Sequence, residues 1–313
     1  MNNKKLLIII SVAVTIITIS VIFAATTSKS NSSSDSNNNK LVILTFNGNS
    51  KSQYINARPI LTGYGFKGSF FIVCNLIGSS SGKSPYMGWE NILTLQNEGH
   101  DIESGTMTYR SLINLSRTSL DFEVGQSKQC LLNHGIKATI FAPPYNKGWN
   151  NATVINTIAR YYDIAVGGFS NLMYLQCNGW RKYLNQQQSD CRPYIREGIL
   201  TYANRYSIKE WNHNTLDAAY LHNDIQIFKR FVSEVNSQVT YNSNGIIIAI
   251  PIIGYHKVDN SKGRDSTDVN LFANEMKYLH DNGFKVITLS NLMYDENTKL
   301  LHIRNIPGIT TAS

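Results

Sequence analysis

Hydrophobic and polar positions alternate between two periods along most of the chain, which is typical of an α/β domain. Short apolar runs predict buried strands, and each is followed by a stretch with the spacing of an amphipathic helix. Because strands alternate with helices of this length, we predict right-handed βαβ units around a mainly parallel sheet, open or closed. The predicted strands are 41–46, 66–73, 100–104, 138–143, 163–166, 245–253 and 285–289, and the predicted helices are 52–64, 89–97, 118–134, 152–162 and 269–281.

The beginning of the chain carries an uncharged, mostly aliphatic stretch. It covers 6–25, follows Lys4 and Lys5, and is long enough to span a bilayer as a helix. Because lysines stay on the inner side of a membrane, we expect everything after Ala25 to face outward. The sequence therefore predicts a signal anchor over 1–25 and a single-pass cell-membrane protein with its domain outside. The alternative is a cleaved signal peptide and a secreted protein, since 23–26 reads Phe-Ala-Ala-Thr.

The rest of the chain divides by composition. Segment 26–40 has no apolar side chain larger than a threonine methyl, which predicts a flexible polar linker. The main domain is predicted over 41–295, with 296–313 as a C-terminal tail. Within the domain, 169–215 is rich in Asn, Gln, Tyr and Trp and breaks the strand-helix rhythm. We interpret it as an insertion that forms a surface for a ligand or a partner.

All four cysteines lie beyond the predicted membrane segment, in a compartment where disulfides form. Three pairings are possible. We predict that Cys177 pairs with Cys191, which is close in sequence, and that Cys74 pairs with Cys130. Four buried thiols are the alternative.

The chain is basic, with a formal net charge of +8 and an isoelectric point near 9.2. Its lysines and arginines are scattered, and no run of five or more occurs. The sequence has no zinc-finger spacing, aromatic RNA-binding platform or phosphate-binding glycine loop. We therefore predict a basic solvated surface and no nucleic-acid partner.

In parallel α/β proteins the chemistry lies at the carboxyl ends of the strands, so the residues there are the candidates for a site. The predicted strand ends contain the segments 44–49 (Leu-Thr-Phe-Asn-Gly-Asn), 99–109 (Gly-His-Asp-Ile-Glu-Ser-Gly-Thr-Met-Thr-Tyr), 141–145 (Phe-Ala-Pro-Pro-Tyr) and 252–257 (Ile-Ile-Gly-Tyr-His-Lys). In order and spacing they resemble the motifs of the polysaccharide deacetylases, carbohydrate esterase family 4, over roughly 40–292. The resemblance implies a distorted (β/α) barrel of the NodB type.

The same resemblance implies that the active site is degenerate. The family's first motif supplies an aspartate base and an aspartate metal ligand, and these positions hold Asn47 and Gly48 here. The second motif supplies two histidine ligands, and these positions hold Gly105 and Tyr109. The family's arginine, which orients the base, is Ala142. Glycine has no donor atom, a phenol is a poor ligand at neutral pH, and an amide cannot take a proton from water.

Two family positions are retained. His256 matches the late-strand histidine that the family uses as general acid, and Tyr145 matches the position whose backbone N–H would serve as an oxyanion donor. A single imidazole without base or metal does not make an amidase. The resemblance therefore implies that no metal or other cofactor is expected, although the family uses a divalent metal such as zinc.

A groove at the barrel mouth would still be able to bind a glycan. Under the family alignment, aromatic side chains of Trp149, Trp211 and Tyr255 would line it. Aromatic faces suit sugar rings, although Trp149 and Trp211 would also serve as core or rim packing residues.

Three hypotheses remain, and they differ in function class. The first is an extracytoplasmic, membrane-anchored deacetylase-like protein that is catalytically inactive and acts in the cell envelope by binding glycan or as a structural component. The second is an active metal-dependent carbohydrate N-deacetylase, a hydrolase of non-peptide carbon–nitrogen bonds, with a rebuilt site. The third is a subunit that binds another envelope protein through 169–215. We rank the first hypothesis highest, the third next and the second lowest.

Overall fold

The computed structural model describes residues 39–78, 84–170, 172–175, 193–196, 199–213, 223–263, 265–304, 306–307 and 309–311. Met1–Ser36 and Asn37–Ser313 form separate units, and all described residues belong to the second. The predicted anchor, nearly all of the predicted linker, and Cys177 with Cys191 lie outside the described residues. Within the described ranges, no helix combines the length and the apolar content that crossing a membrane requires.

The strands alternate with helices as the apolar pattern predicts. The strands are β1 (Leu41–Asn47), β2 (Ser69–Ile72), β3 (Asp101–Ser104), β4 (Ile140–Phe141), β5 (Ile164–Phe169), β6 (Met173–Tyr174), β7 (Pro193–Arg196), β8 (Ile199–Tyr202), β9 (Ile208–Asn212), β10 (Ile246–Ile247), β11 (Ala249–Ile250), β12 (Ile252–Tyr255), β13 (Lys257–Val258), β14 (Ser266–Thr267), β15 (Lys285–Ile287), β16 (Leu292–Asp295), β17 (Leu300–Ile303) and β18 (Thr310–Thr311).

Seven parallel strands close into a barrel. Their order is β1, β2, β3, β4, β5, β9 and β12, and β12 pairs back onto β1 with Phe46 opposite Tyr255. Strand β15 adds to the first half of β1. The barrel confirms the fold predicted from the sequence, and it brings the carboxyl ends of all seven strands to one mouth.

The helices cover the outer surface of the barrel. Asn151, Asn223 and Asp268 begin three of them by accepting hydrogen bonds from backbone N–H groups of the first turn. The α-helices are α1 (Arg58–Gly63), α2 (Trp89–Asn97), α3 (Arg117–Asp121), α4 (Ser127–Leu132), α5 (Ala152–Ala159), α6 (Asp224–Asn236) and α7 (Val269–Asp281), and π-helical turns precede α1 at Gln53–Ala57 and α4 at Phe122–Gln126.

The strands are buried on both faces, which explains why β1 is a continuous apolar run rather than an alternating one. Leu41 and Ile43 belong to the cluster that fills the barrel. Val42, Leu44 and Phe46 belong to a second cluster, which lies between the barrel and the helices. Side chains of a strand alternate between faces, so this assignment fixes which residues of every barrel strand point inward.

Two parts of the predicted organisation differ from the structure. The predicted insertion 169–215 contains β9, a full member of the barrel between β5 and β12. The predicted tail 296–313 contains β17, which pairs with β16, and β18, which pairs with β10. Lys209, Glu210 and Asn212 make β9 look like a surface segment in the sequence, yet all three are buried.

One predicted disulfide falls within the described residues. Cys74 and Cys130 are joined with an S–S distance of 2.09 Å. The bond links the turn after β2 to helix α4.

Candidate functional site

A pocket opens at the barrel mouth, where the carboxyl ends of the strands meet. Its envelope, part of which is open solvent, measures about 330 Å³. All five positions that depart from the family pattern line it, together with the two retained ones. These seven residues are Asn47, Gly48, Gly105, Tyr109, Ala142, Tyr145 and His256.

The backbone around the pocket is held in unusual conformations. Among the described residues, nine other than glycine have a positive φ, and five of them follow barrel strands at the mouth. Such conformations cost energy outside glycine and persist only where the surroundings enforce them, which is typical of functional sites. The five are Asn49 (42°), Thr106 (88°), Tyr109 (64°), Tyr145 (60°) and Asn146 (51°).

Gly48 and Gly105 occupy positions where a side chain would be strained or crowded. Gly48 has φ of +84°, a region that L side chains rarely adopt. A Cβ on Gly105 would lie 3.3 Å from the carbonyl oxygen of Phe71 and 3.3 Å from Cγ2 of Val73. The loops after β1 and β3 are therefore shaped for residues without side chains.

Glu210 is the central charged residue of the pocket, and it is not among the site residues predicted from the sequence. Its side chain is buried within the pocket wall, where it accepts hydrogen bonds from Thr45 Oγ1 at 2.8 Å and Asn146 Nδ2 at 3.0 Å. Burial raises the pKa of the carboxyl, and hydrogen bonds from Asn146, Thr45 and Asn47 oppose that rise. A Cβ on Gly254 would lie 3.0 Å from the carboxyl carbon, so Gly254 makes room for Glu210.

The signal for Glu210 was present in the sequence as an alternation. Ile208, Glu210 and Asn212 share one face of β9, and Lys209 and Trp211 share the other. Lys209 is buried because its ammonium lies 3.2 Å from the centroid of the Trp149 ring. A segment with charged residues on both faces has the pattern of a surface loop. It forms a buried strand here because partners elsewhere in the chain surround the charged groups.

His256 lies in the same pocket with its side chain largely enclosed. Burial lowers the pKa of its imidazole, against an opposing effect of Asp265. The ring is therefore neutral at physiological pH. Its Nδ1 is buried and has no hydrogen-bond partner among the described residues. The backbone oxygen of His256 accepts from Gln53 Nε2 at 2.5 Å, which fixes the loop that carries it.

Two tyrosines form one side of the pocket. Their ring centroids are 5.4 Å apart, and the planes are tilted by 57°. Burial raises the pKa of Tyr109 to about 12, so its phenol keeps its proton. Tyr145 stands at the rim with 56% of its surface exposed.

The aromatic residues predicted to line the groove lie elsewhere. Trp211 and Tyr255 are only 3% and 1% exposed and pack between the barrel and the helices. Strand alternation causes the difference, because the neighbours Glu210 and Gly254 occupy the inner face. Trp149 is half-buried beneath Lys209 and is not part of the pocket wall. None of the three residues lines this pocket, and their contact with a glycan stays a prediction.

A divalent metal does not fit the residues present at the family's metal positions. Gly48 and Gly105 provide no donor atom, and Tyr109 provides a protonated phenol. Glu210 is a single carboxylate whose two oxygens already accept hydrogen bonds. Over the described part of the chain, no three His, Cys, Asp or Glu side chains converge closely enough to hold a metal ion.

Comparisons with known proteins agree with this barrel. A sequence profile described as polysaccharide deacetylase matches residues 34–165. A gellan lyase from a Bacillus species is 31% identical over 187 residues, which are 56% of this chain and 7% of the lyase. This chain thus matches a small part of that relative's length. The Xyl-CE4 domain of a multidomain xylanase, from the hindgut metagenome of Trinervitermes trinervoides, has a TM-score of 0.50 and 16% identity, covering 80% of this chain and 88% of that domain. At this identity the likeness shows the fold.

Proposed function

We propose that the chain, which matches the polysaccharide deacetylase profile over residues 34–165 and has the NodB-like fold, is a non-catalytic member of that family that binds a glycan of the cell envelope at the barrel mouth. One observation carries the proposal. The positions of the base and the metal ligands meet in a pocket that lacks their chemistry, yet the pocket remains open and lined by polar and aromatic groups.

The donor set of the pocket supports the proposed loss of the deacetylase reaction. Asn47 cannot accept a proton from water, and Gly48, Gly105 and Tyr109 cannot replace a carboxylate and two imidazoles. Restoring a histidine at position 105 would place its Cβ in tight contact with the backbone of β2. The loop after β3 therefore leaves little room for a histidine at this position.

The surviving groups suit a sugar. The exposed ring of Tyr145 offers an apolar face for the C–H side of a pyranose. Asn212 and Glu210 lie deeper, where buried amide and carboxyl groups select the orientation of a ligand. Residues with positive φ flank the pocket, and because the surrounding structure must enforce such conformations, we expect little backbone change on binding.

Placement at the cell envelope is the part of the proposal that rests on the amino-terminal sequence. The aliphatic stretch 6–25 after two lysines is the pattern of a signal anchor. Fractionation of cells that express the full chain tests it. We expect the protein in the membrane fraction and sensitive to protease added from outside, and a soluble protein inside the cell would contradict it.

Glycan binding is tested with the full chain on immobilised envelope polysaccharides. We expect retention on at least one, and we expect Tyr145→Ala to weaken the affinity about tenfold by removing the exposed ring. Phe122→Ala is the matched control, because Phe122 is also an exposed aromatic residue but lies outside the pocket. No retention on any polysaccharide, or equal effects of the two substitutions, would contradict the proposal.

A second candidate function is supported by the pair of titratable groups in the pocket. Glu210 and His256 both line it. Burial raises the pKa of the Glu210 carboxyl and lowers the pKa of the His256 imidazole, so it favours the neutral form of each. Such a pair is suited to metal-independent acid–base catalysis. Release of acetate from an acetylated glycan by the full chain, abolished by His256→Ala, would establish this candidate and overturn the non-catalytic one.

A further inference from the structure

We propose that the pocket selects a glycan carrying a free amino group, whose ammonium binds between the Glu210 carboxyl, the Asn212 amide oxygen and the rings of Tyr109 and Tyr145. This inference rests on the proposed glycan binding and adds the chemical class of the sugar. It is carried by the charges, the unused hydrogen-bonding atoms and the rings of the pocket.

The electrostatic field at the pocket favours a cation. Glu210 is buried in its wall, and the residues that line it in the described ranges include no lysine or arginine. Asp265 also acts on this region, since its charge influences both Tyr109 and His256. A buried carboxylate is costly to ionise alone, and a bound cation offsets that cost.

Two buried atoms of the pocket lining have no hydrogen-bond partner among the described residues, and both can accept. Asn212 is 5% exposed, and its Oδ1 is buried without a partner among the described residues. Nδ1 of the neutral His256 ring is in the same situation and accepts when the proton is on Nε2. The Glu210 carboxyl accepts from Thr45, Asn146 and Asn47, and a carboxylate has about four acceptor positions, so one remains for a ligand. A ligand that satisfies these atoms brings donors.

An ammonium group meets these demands better than an acetamido group. It brings three donors and a positive charge, whereas an acetamido carbonyl would place one more acceptor among acceptors. The tilted pair formed by Tyr109 and Tyr145 adds ring faces to which a cation is attracted. The preference is thus opposite to that expected for a pocket that grips an N-acetyl group.

Calorimetric titration of the full chain at about pH 6, where a primary amine is protonated, compares three oligosaccharides of equal length. They are a β-1,4-linked glucosamine oligomer, its fully N-acetylated form and the corresponding glucose oligomer. We expect the glucosamine oligomer to bind about tenfold or more tightly than the other two, because a charge-assisted hydrogen bond is stronger than a neutral one. Tighter binding of the acetylated form overturns the inference and leaves glycan binding intact. Binding of none of the three overturns the inference together with this form of the proposed function.

Glu210→Gln tests whether the carboxyl carries the preference. The substitution removes the charge, so we expect the ratio between the affinities for the glucosamine oligomer and the glucose oligomer to fall to about one. Glu103→Gln is the matched control, because Glu103 is equally buried and accepts from the backbone nitrogens of Thr139 and Ile140, away from the pocket. A preference that survives in Glu210→Gln overturns the inference. Far-ultraviolet circular dichroism confirms that both variants are folded.

Discussion

Two buried glutamates lie on opposite sides of the barrel wall and have very different surroundings. Glu275 on α7 is completely enclosed, and its two oxygens contact His213 Nε2 at 2.5 Å and Tyr255 Oη at 2.8 Å. The other ring nitrogen of His213 lies 3.3 Å from Thr267 Oγ1. Glu210 lies instead on the inner face, next to open space and to buried polar atoms without partners.

The comparison separates a structural polar cluster from a candidate site. Threonine, histidine and glutamate in contact resemble a catalytic triad by residue type, but the described surroundings of Glu275 leave no space for a substrate. At Glu210 the residue types are less suggestive, and the site is indicated by open volume, unused acceptors and strained backbone. A closed network stabilises the fold, whereas an open one is available to a ligand.

The largest expected effect is on stability, at the closed cluster. Glu275→Ala leaves His213 and Tyr255 without their buried acceptor, so we expect the free energy of unfolding to fall by about 3–5 kcal/mol. Chemical denaturation measures it, with the exposed helix residue substitution Glu90→Ala as a control that changes stability by about 0.5 kcal/mol or less. A loss below about 1 kcal/mol would show that the cluster is not a structural one.

A third buried titratable group, His100, is expected to make stability depend on pH. Its Nδ1 accepts from the backbone nitrogen of Gly68 at 3.0 Å, and burial lowers its pKa from 6.5 to about 4. The folded state binds fewer protons than the unfolded state between these values, so stability is lost as pH falls from about 6.5 to 4. We expect His100→Asn to reduce this loss by about 3 kcal/mol. Identical pH profiles for the variant and the natural protein would contradict the assignment.

An intermediate effect on binding and stability is expected at Gly254, which lies on β12 against the carboxyl of Glu210. A methyl group there would displace the carboxyl of Glu210, so Gly254→Ala should weaken glycan binding about tenfold and cost about 1–3 kcal/mol of stability. Gly63→Ala is the control, since nothing lies within 4 Å of its Cβ position and alanine favours a helix. Unchanged binding in Gly254→Ala would mean that the position of Glu210 does not matter.

The smallest effect is a difference in pH dependence between Glu210→Gln and the natural protein. Because the folded pKa of Glu210 is raised above its ordinary value of 4.5, the folded state retains a proton that the unfolded state releases. The free energy of unfolding of the natural protein therefore falls as pH rises from 4.5 through the raised pKa of the folded state. Glutamine does not titrate, so the variant lacks this decrease. Denaturation at a series of pH values should show the variant gaining relative stability as pH rises. A relative loss would contradict the direction of the shift.

The sequence predicts most of the barrel because its strands are apolar on both faces. Helix α2 and helix α7 have the predicted bounds, and the strands at 41–47 and 69–72 fall within or close to the predicted ones. Strand β9 escaped prediction because its charged residues are buried by partners distant in sequence, such as Trp149 for Lys209. Local pattern cannot reveal such a partner.

The candidate site was predictable only in part, for a related reason. The positions matching family motifs meet in one pocket because each follows a barrel strand. The inward direction of Glu210 and the outward direction of Trp211 depend on the register of β9, and the sequence pattern of 169–215 specifies no register. Trp211 and Tyr255 face the helices instead of the pocket, which the sequence pattern alone does not reveal.

The central claim is that the pocket no longer holds the family's metal and serves binding instead. Elemental analysis of the full chain, after incubation with zinc, cobalt and nickel and removal of free ions, tests it most directly. The donor set at Gly48, Gly105 and Tyr109 predicts no stoichiometric metal in a folded protein. One equivalent of bound metal that is lost in His256→Ala would contradict the account, because it would place a metal in this pocket.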